Sequence, residues 1–174
     1  GQNDTDNSTN IDVLFFGESS NNNLVFNPII ESLHKIDYKL VKDNSDYPLI
    51  KSVFLSIQFL PQLFFEYVEA NSVNRKIIRS NAVSMLSSWG KFILARQLLR
   101  KYNPEVLFMA NDHSPFNRCL LHHAKNIGIK TCYMQHASVS DKFPSLEFDY
   151  SLLDGQESFE KYRKTSKRNS KVIL

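Results

Sequence analysis

Short unbroken apolar runs alternate along this chain with longer stretches in which apolar residues return every three or four positions. Residues 11–16 (IDVLFF) are nearly all apolar, as a strand covered on both faces requires. Residues 17–21 read as a polar turn. Pro28 stands where a helix could begin, with Ile29, Ile30 and Leu33 as its apolar side. Residues 36–41 alternate and predict a second strand. Pro48 can open a helix reaching about residue 70, with a kink expected at Pro61. Ser72 suits a helix N-cap, and Val73, Ile77, Met85, Trp89, Phe92 and Leu99 keep mostly helical spacing up to residue 101. Gly90 argues against one unbroken helix there. Asn103-Pro104 stops the pattern, and residues 105–110 (EVLFMA) form another buried-strand run. Ser114-Pro115 opens a helix to about residue 126, and Gly128 ends it. Residues 130–134 (KTCYM) and 150–153 predict strands, residues 156–164 a helix, and residues 171–174 a last strand.

Strand, helix, strand, helix with short connections argues for an α/β fold: a Rossmann-like, three-layer domain with a mostly parallel sheet and helices on both faces. We expect residues 1–10 to be a flexible tail and residues 11–174 a single domain, the N-terminal half of a two-domain protein whose natural chain continues past Leu174. The 174 residues suffice for a core without covalent staples. Two cysteines, Cys119 and Cys132, exclude a disulfide scaffold and suit a reducing compartment. Residues 52–65 carry no charge for 14 positions, too few for a membrane span and interrupted by Pro61.

In an open parallel sheet, ligands bind beyond the carboxyl ends of the strands. Chemistry-bearing residues follow three strand runs there: Glu18 and Ser19 after the first, Asn111, Asp112, His113 and Ser114 after EVLFMA, and Gln135 and His136 after KTCYM. If these strands are neighbours, the residues share one crevice. An imidazole beside a carboxylate can accept a hydroxyl proton near neutrality, so Asp112 or His113 is the candidate base. The competing reading is that Asp112 and Ser114 cap the following helix, and that Gln135 and His136 close a strand as a satisfied buried pair. His122 and His123, with His113 and His136, fit no usual metal spacing, and the cysteines form no CxxC; no metal site is expected. Cys132 reads as a core residue. A glycine-rich phosphate loop and a G-x-S-x-G elbow are both missing.

Charge is uneven. The net value is only +3, yet residues 71–104 hold seven bases and no acid. These bases, with Phe54, Phe59, Phe64 and Phe65 just before them, allow attachment of residues 48–101 to an anionic membrane surface. The alternative, which the helical spacing of the aromatics favours, is a solvated basic face over a core of phenylalanines. Nucleic acid is not expected, for want of any binding module.

Residues 104–136, PEVLFMANDHSPFNRCLLHHAKNIGIKTCYMQHA, resemble the N-terminal, acceptor-side domain of GT-B glycosyltransferases that build bacterial capsule and lipopolysaccharide. The similar pattern is a strand ending in NDHSP, a helix, GIKT, and a strand ending in QHA or QHG. The resemblance continues through residues 148–164 (FDYSLLDGQESFEKYRK) and KVIL, and so covers about residues 104–174. It implies a transferase with two Rossmann-like domains facing a cleft. The acceptor, a glycan or a lipid-linked glycan, would bind this half. The nucleotide-sugar would bind a C-terminal half outside these residues, so this domain needs no cofactor and would not transfer sugar alone. Asp112, His113, Gln135 and His136 would line the cleft, and Gly155 would turn strand into helix. Such a protein works in the cytoplasm or peripherally on the inner face of the membrane. Ala137 stands where the family often has glycine. The reading from another class is a non-catalytic α/β module that binds a partner or a small anion.

Overall fold

The computed structural model describes residues 10–17, 20–33, 36–42, 49–111, 113–140, 143, 145–165 and 170–174. Strands β1 (Val13–Gly17), β2 (Tyr38–Lys42), β3 (Val106–Met109), β4 (Lys130–Met134), β5 (Tyr150–Leu152) and β6 (Lys171–Ile173) form one sheet. Their order is β2-β1-β3-β4-β5-β6, and every neighbouring pair is parallel. Helices α1 (Ser20–Ser32), α2 (Leu49–Ser56), α3 (Leu60–Glu69), α4 (Ser72–Tyr102), α5 (Pro115–Asn126) and α6 (Gln156–Thr165) connect them, with a 3-10 turn, Ile57–Phe59, between α2 and α3. The α/β, Rossmann-like three-layer arrangement is therefore present, and its sheet is parallel throughout.

Alternation along each strand splits the core in two. Leu14, Phe16, Leu107, Met109 and Tyr133 face α4, α5 and α6, where they meet Leu94, Leu98, Phe116, Leu120 and Tyr162. Phe15, Phe108 and Cys132 face the other way and meet Phe26, Ile29 and Ile30 of α1. The Phe15 ring centroid lies 5.2 Å from Phe26 and 5.3 Å from Phe108. Fully buried side chains such as Leu14, Phe15, Phe16, Leu94 and Leu107 contribute ~1.5–3 kcal/mol each. The half-exposed Arg118–Glu147 ion pair at 2.9 Å adds at most ~1 kcal/mol, so apolar burial holds the layers together.

Three helix boundaries differ from the sequence expectation. Helix α1 starts at Ser20, well before Pro28, which lies inside it and is exposed. Phe26, Ile29 and Ile30 hold that helix on the sheet, so its apolar side outweighs the hydrogen bond that proline removes. The helix expected over residues 48–70 is divided by the 3-10 turn, and Pro61 sits in the first turn of α3, where its missing N–H is no loss. Asn71, not Ser72, caps α4: its side-chain oxygen accepts the Asn74 N–H at 2.9 Å.

Helix α4 is unbroken across Gly90. The glycine is there for packing. A Cβ at that position would lie 1.7 Å from the Ser52 carbonyl oxygen and 2.4 Å from its carbon, so only glycine lets the backbone of α2 come this close. Ser52 and Ser87 sit in the same seam, their hydroxyls 3.4 Å apart. Small residues on both helices thus bring α2 against α4. Gly90→Ala gains up to ~1 kcal/mol of helix propensity but meets backbone atoms that cannot turn aside. The expected net loss is about 2 kcal/mol, read as a lower urea midpoint, while Ser84→Ala on the exposed part of the same helix leaves the midpoint unchanged or slightly raised.

Candidate functional site

The sheet order reverses between β1 and β3. From β1 the chain goes outward through α1 to β2, then returns across α2, α3 and α4 to β3 on the other side of β1. Helices leave this point on opposite faces of the sheet, the arrangement that in open parallel sheets places ligands at the carboxyl ends of the strands, here β1 and β3. Strand β4 lies next to β3, with Met109 paired to Tyr133. The three turns singled out in the sequence therefore do follow neighbouring strands. Glu18, Ser19 and Asp112 lie outside the described residues.

At the end of β3, Asn111 makes the turn. Its side-chain oxygen accepts the N–H groups of His113 at 3.0 Å and Ser114 at 3.3 Å. Ser114 caps α5: its hydroxyl oxygen accepts the Asn117 N–H at 3.3 Å, with Pro115 following in the first turn. Both side chains serve the local backbone. His113 is exposed, and its ring lies against Phe143 at 5.0 Å. Asn117, missed in the sequence, is 1% exposed, and neither its amide nitrogen nor its oxygen has a hydrogen-bond partner among the described residues. A buried orphan amide demands an explanation, and nothing in the sequence marks this one out from a surface asparagine.

At the end of β4, Gln135 is buried and fully used. Its amide nitrogen donates to the Ala137 carbonyl and to the Ser158 hydroxyl, both at 2.9 Å, and its oxygen accepts the Asp154 N–H at 3.0 Å. It ties β4 to the turn after β5 and to α6. Gly155, at φ +87°, makes that turn from strand to helix. His136 is exposed beside it. The two residues expected as a pair thus part: the glutamine is sealed into the scaffold and the imidazole faces solvent. Thr131 and Tyr133 on the same face of β4 are also bonded, Thr131 to Asp149 through its N–H at 2.8 Å and its hydroxyl at 2.9 Å, and Tyr133 to the Tyr162 hydroxyl at 3.2 Å.

His122 and His123 lie on α5, away from this rim. The Phe92 carbonyl of α4 can only accept, so the His123 Nε2 donates to it, at 3.0 Å. Burial holds the His123 imidazole below its ordinary pKa; the Phe92 bond partly opposes this, and His122, Arg96 and Arg100 reinforce it. Cys132 is in the core, and burial pushes its thiol up to about 12, which rules it out as a nucleophile near neutrality. Burial also raises the Cys119 thiol. Among the described residues, no three His, Cys, Asp or Glu side chains gather as a cation would require. A cleft of about 590 Å³ runs along the outer side of α5, lined by Arg118, His122, Lys125, Ser145 and Glu147, and not along the strand ends. Comparison of the chain with models of protein families and with curated proteins finds no match.

Gln135→Ala strands the Asp154 N–H, the Ser158 hydroxyl and the Ala137 carbonyl, and is expected to cost roughly 2–3 kcal/mol. Thermal unfolding at pH 7 checks it. The low pKa of His123 has a fixed sign in stability. Below about pH 6.5 the unfolded chain binds a proton at this residue that the folded chain refuses. Stability should therefore fall as pH drops from 7 towards 5, with no contribution from this group to the slope above about pH 7.5. Urea midpoints across that range should show a shallower slope in His123→Gln, whose amide can still donate to Phe92.

Proposed function

We propose that this chain is the acceptor-binding domain of a glycosyltransferase of bacterial surface polysaccharide synthesis, one that moves a sugar from a nucleotide-sugar to a glycan or lipid-linked glycan. The observation that carries the reading is the pair of exposed imidazoles, His113 and His136, at the carboxyl ends of the adjacent strands β3 and β4, beside the point where the sheet order reverses. The resemblance over residues 104–174 builds this side of the sheet. In such a reaction an acceptor hydroxyl attacks the anomeric carbon as the nucleotide leaves. Asp112 or His113 would take the hydroxyl proton, and His136 would hold the sugar. Gln135, Asn111 and Ser114 support the rim, and Asn117 adds an unmet hydrogen-bonding demand in the first turn of α5.

One observation favours the second reading, a non-catalytic α/β module for a partner or small anion. Most polar side chains described at the rim are committed to the protein itself. Calorimetric titration separates the two. The first expects this chain to bind oligosaccharide acceptors without nucleotide-sugar, with at least tenfold weaker binding in both His136→Ala and His113→Ala and an unchanged unfolding temperature. Binding of inorganic phosphate or nucleotide alone, with no carbohydrate bound, favours the second.

A further inference from the structure

The crossover from β2 to β3 is much larger than a connection needs to be, and half of it leaves the domain. Helix α4 has 31 residues, but its first buried one is Ser87. Its N-terminal half and α3 project together as an antiparallel hairpin. Arg75 locks the hairpin shut by donating to the Tyr67 and Val68 carbonyls at the end of α3, at 3.1 and 2.6 Å.

The sequence favours the aromatics here as core, and the structure does not bear that out. Phe54 is 71% exposed, Phe64 62% and Phe65 63%; only Phe59 is partly covered, against Trp89. Of the eighteen large hydrophobic side chains exposed among the described residues, twelve belong to residues 49–102. They keep helical order. Ile50 and Phe54 on the side of α2 turned away from Ser52 and Ser56 start a stripe that runs through Ile57 of the 3-10 turn to Leu60, Phe64 and Val68 on α3. Among the described residues, nothing covers this apolar face.

Charge sorts with it. Residues 49–102 hold eight Lys and Arg against Glu66 and Glu69, so the crossover is +6 while the rest of the chain is −3. Two grooves flank the hairpin. One, of about 310 Å³, is lined by Leu60, Phe64, Tyr67, Ile78 and Arg79 and has no acid. The other holds Glu66 and Glu69. The apolar side is thus the acid-free side. The projecting part, residues 49–86, holds Lys51, Arg75, Lys76 and Arg79 against Glu66 and Glu69, a net +2, so a second copy would set a net-positive surface against itself. An anionic leaflet offers apolar depth and negative phosphate together, which is what exposed phenylalanines beside exposed bases match.

We propose that the α2–α4 projection docks on an anionic lipid bilayer, with Leu60, Phe64 and Phe65 entering the headgroup region and Lys76 and Arg79 meeting lipid phosphates. Docking places the domain against the membrane surface without crossing it; among the described residues no helix is long and apolar enough to cross. The proposal does not depend on sugar transfer. Flotation with phosphatidylcholine–phosphatidylglycerol vesicles tests it against phosphatidylcholine alone, at low and high salt. The chain should float with the anionic vesicles only, and less at high salt. Lys76→Gln with Arg79→Gln should weaken binding about 30-fold, and Phe64→Ser with Phe65→Ser at least tenfold. All four side chains are exposed, so circular dichroism should be unchanged. As a second readout, Phe64→Trp should lose fluorescence to brominated lipid. Failure to float, flotation indifferent to both double variants, or a dimer in ultracentrifugation that the phenylalanine variants abolish without any vesicle binding would each overturn it.

Discussion

A chain that lays β2 on one side of β1 and β3 on the other must carry its backbone across the sheet between them, and α4 does this. Leu94, Leu98 and Leu99 on its C-terminal half are fully buried against the strands, and Asn103, at φ 38°, turns the chain into β3. Helix α2 rides on α4 through the glycine-and-serine seam. If α4 did not lie flat, β3 could not pair with β1, and the reversal of strand order beside which the candidate site lies would vanish. The position of the candidate site therefore depends on the packing of a helix that contributes no residue to it.

The two ends of that helix serve different environments. Its C-terminal half meets apolar side chains of its own sheet. Its N-terminal half, with α3, carries large apolar side chains that stand mostly exposed. Both halves satisfy the same helical spacing, because periodicity records that a face is apolar and not what covers it. This is why Phe54, Phe64 and Phe65 read as core from sequence and stand in solvent.

Most of the fold from residue 104 onward was legible. Asn103-Pro104, Ser114-Pro115 and Gly128 punctuate it with residues whose backbone preferences leave few options, and the structure has a turn, an N-cap and a left-handed glycine at those places. The start of α1 was not legible, because residues 20–25 (SNNNLV) are mostly polar and their helix is held from outside by Phe26, Ile29 and Ile30. Gly90 misled because its cause lies in the Ser52 backbone, 38 positions away. At the site, the turns after β1, β3 and β4 could be named from strand ends alone. Which side chains remain free could not. Gln135 is occupied by Asp154 and Ser158, partners 19 and 23 residues along the chain, and sequence does not record such bonds.

The bonds of Thr131, Tyr133 and Gln135 fall on alternate positions along β4 and the residue just past it, at three successive heights on one face of the sheet. The pairing they accompany is brief: β4 and β5 share only three residue pairs. So short a parallel contact, judged on greasy side chains alone, would tolerate sliding by one step, which would swap the inner and outer faces of β5. A slide would break all three polar rungs together. They act as a ratchet that admits a single alignment, and the His136 turn inherits its height above the sheet from that alignment.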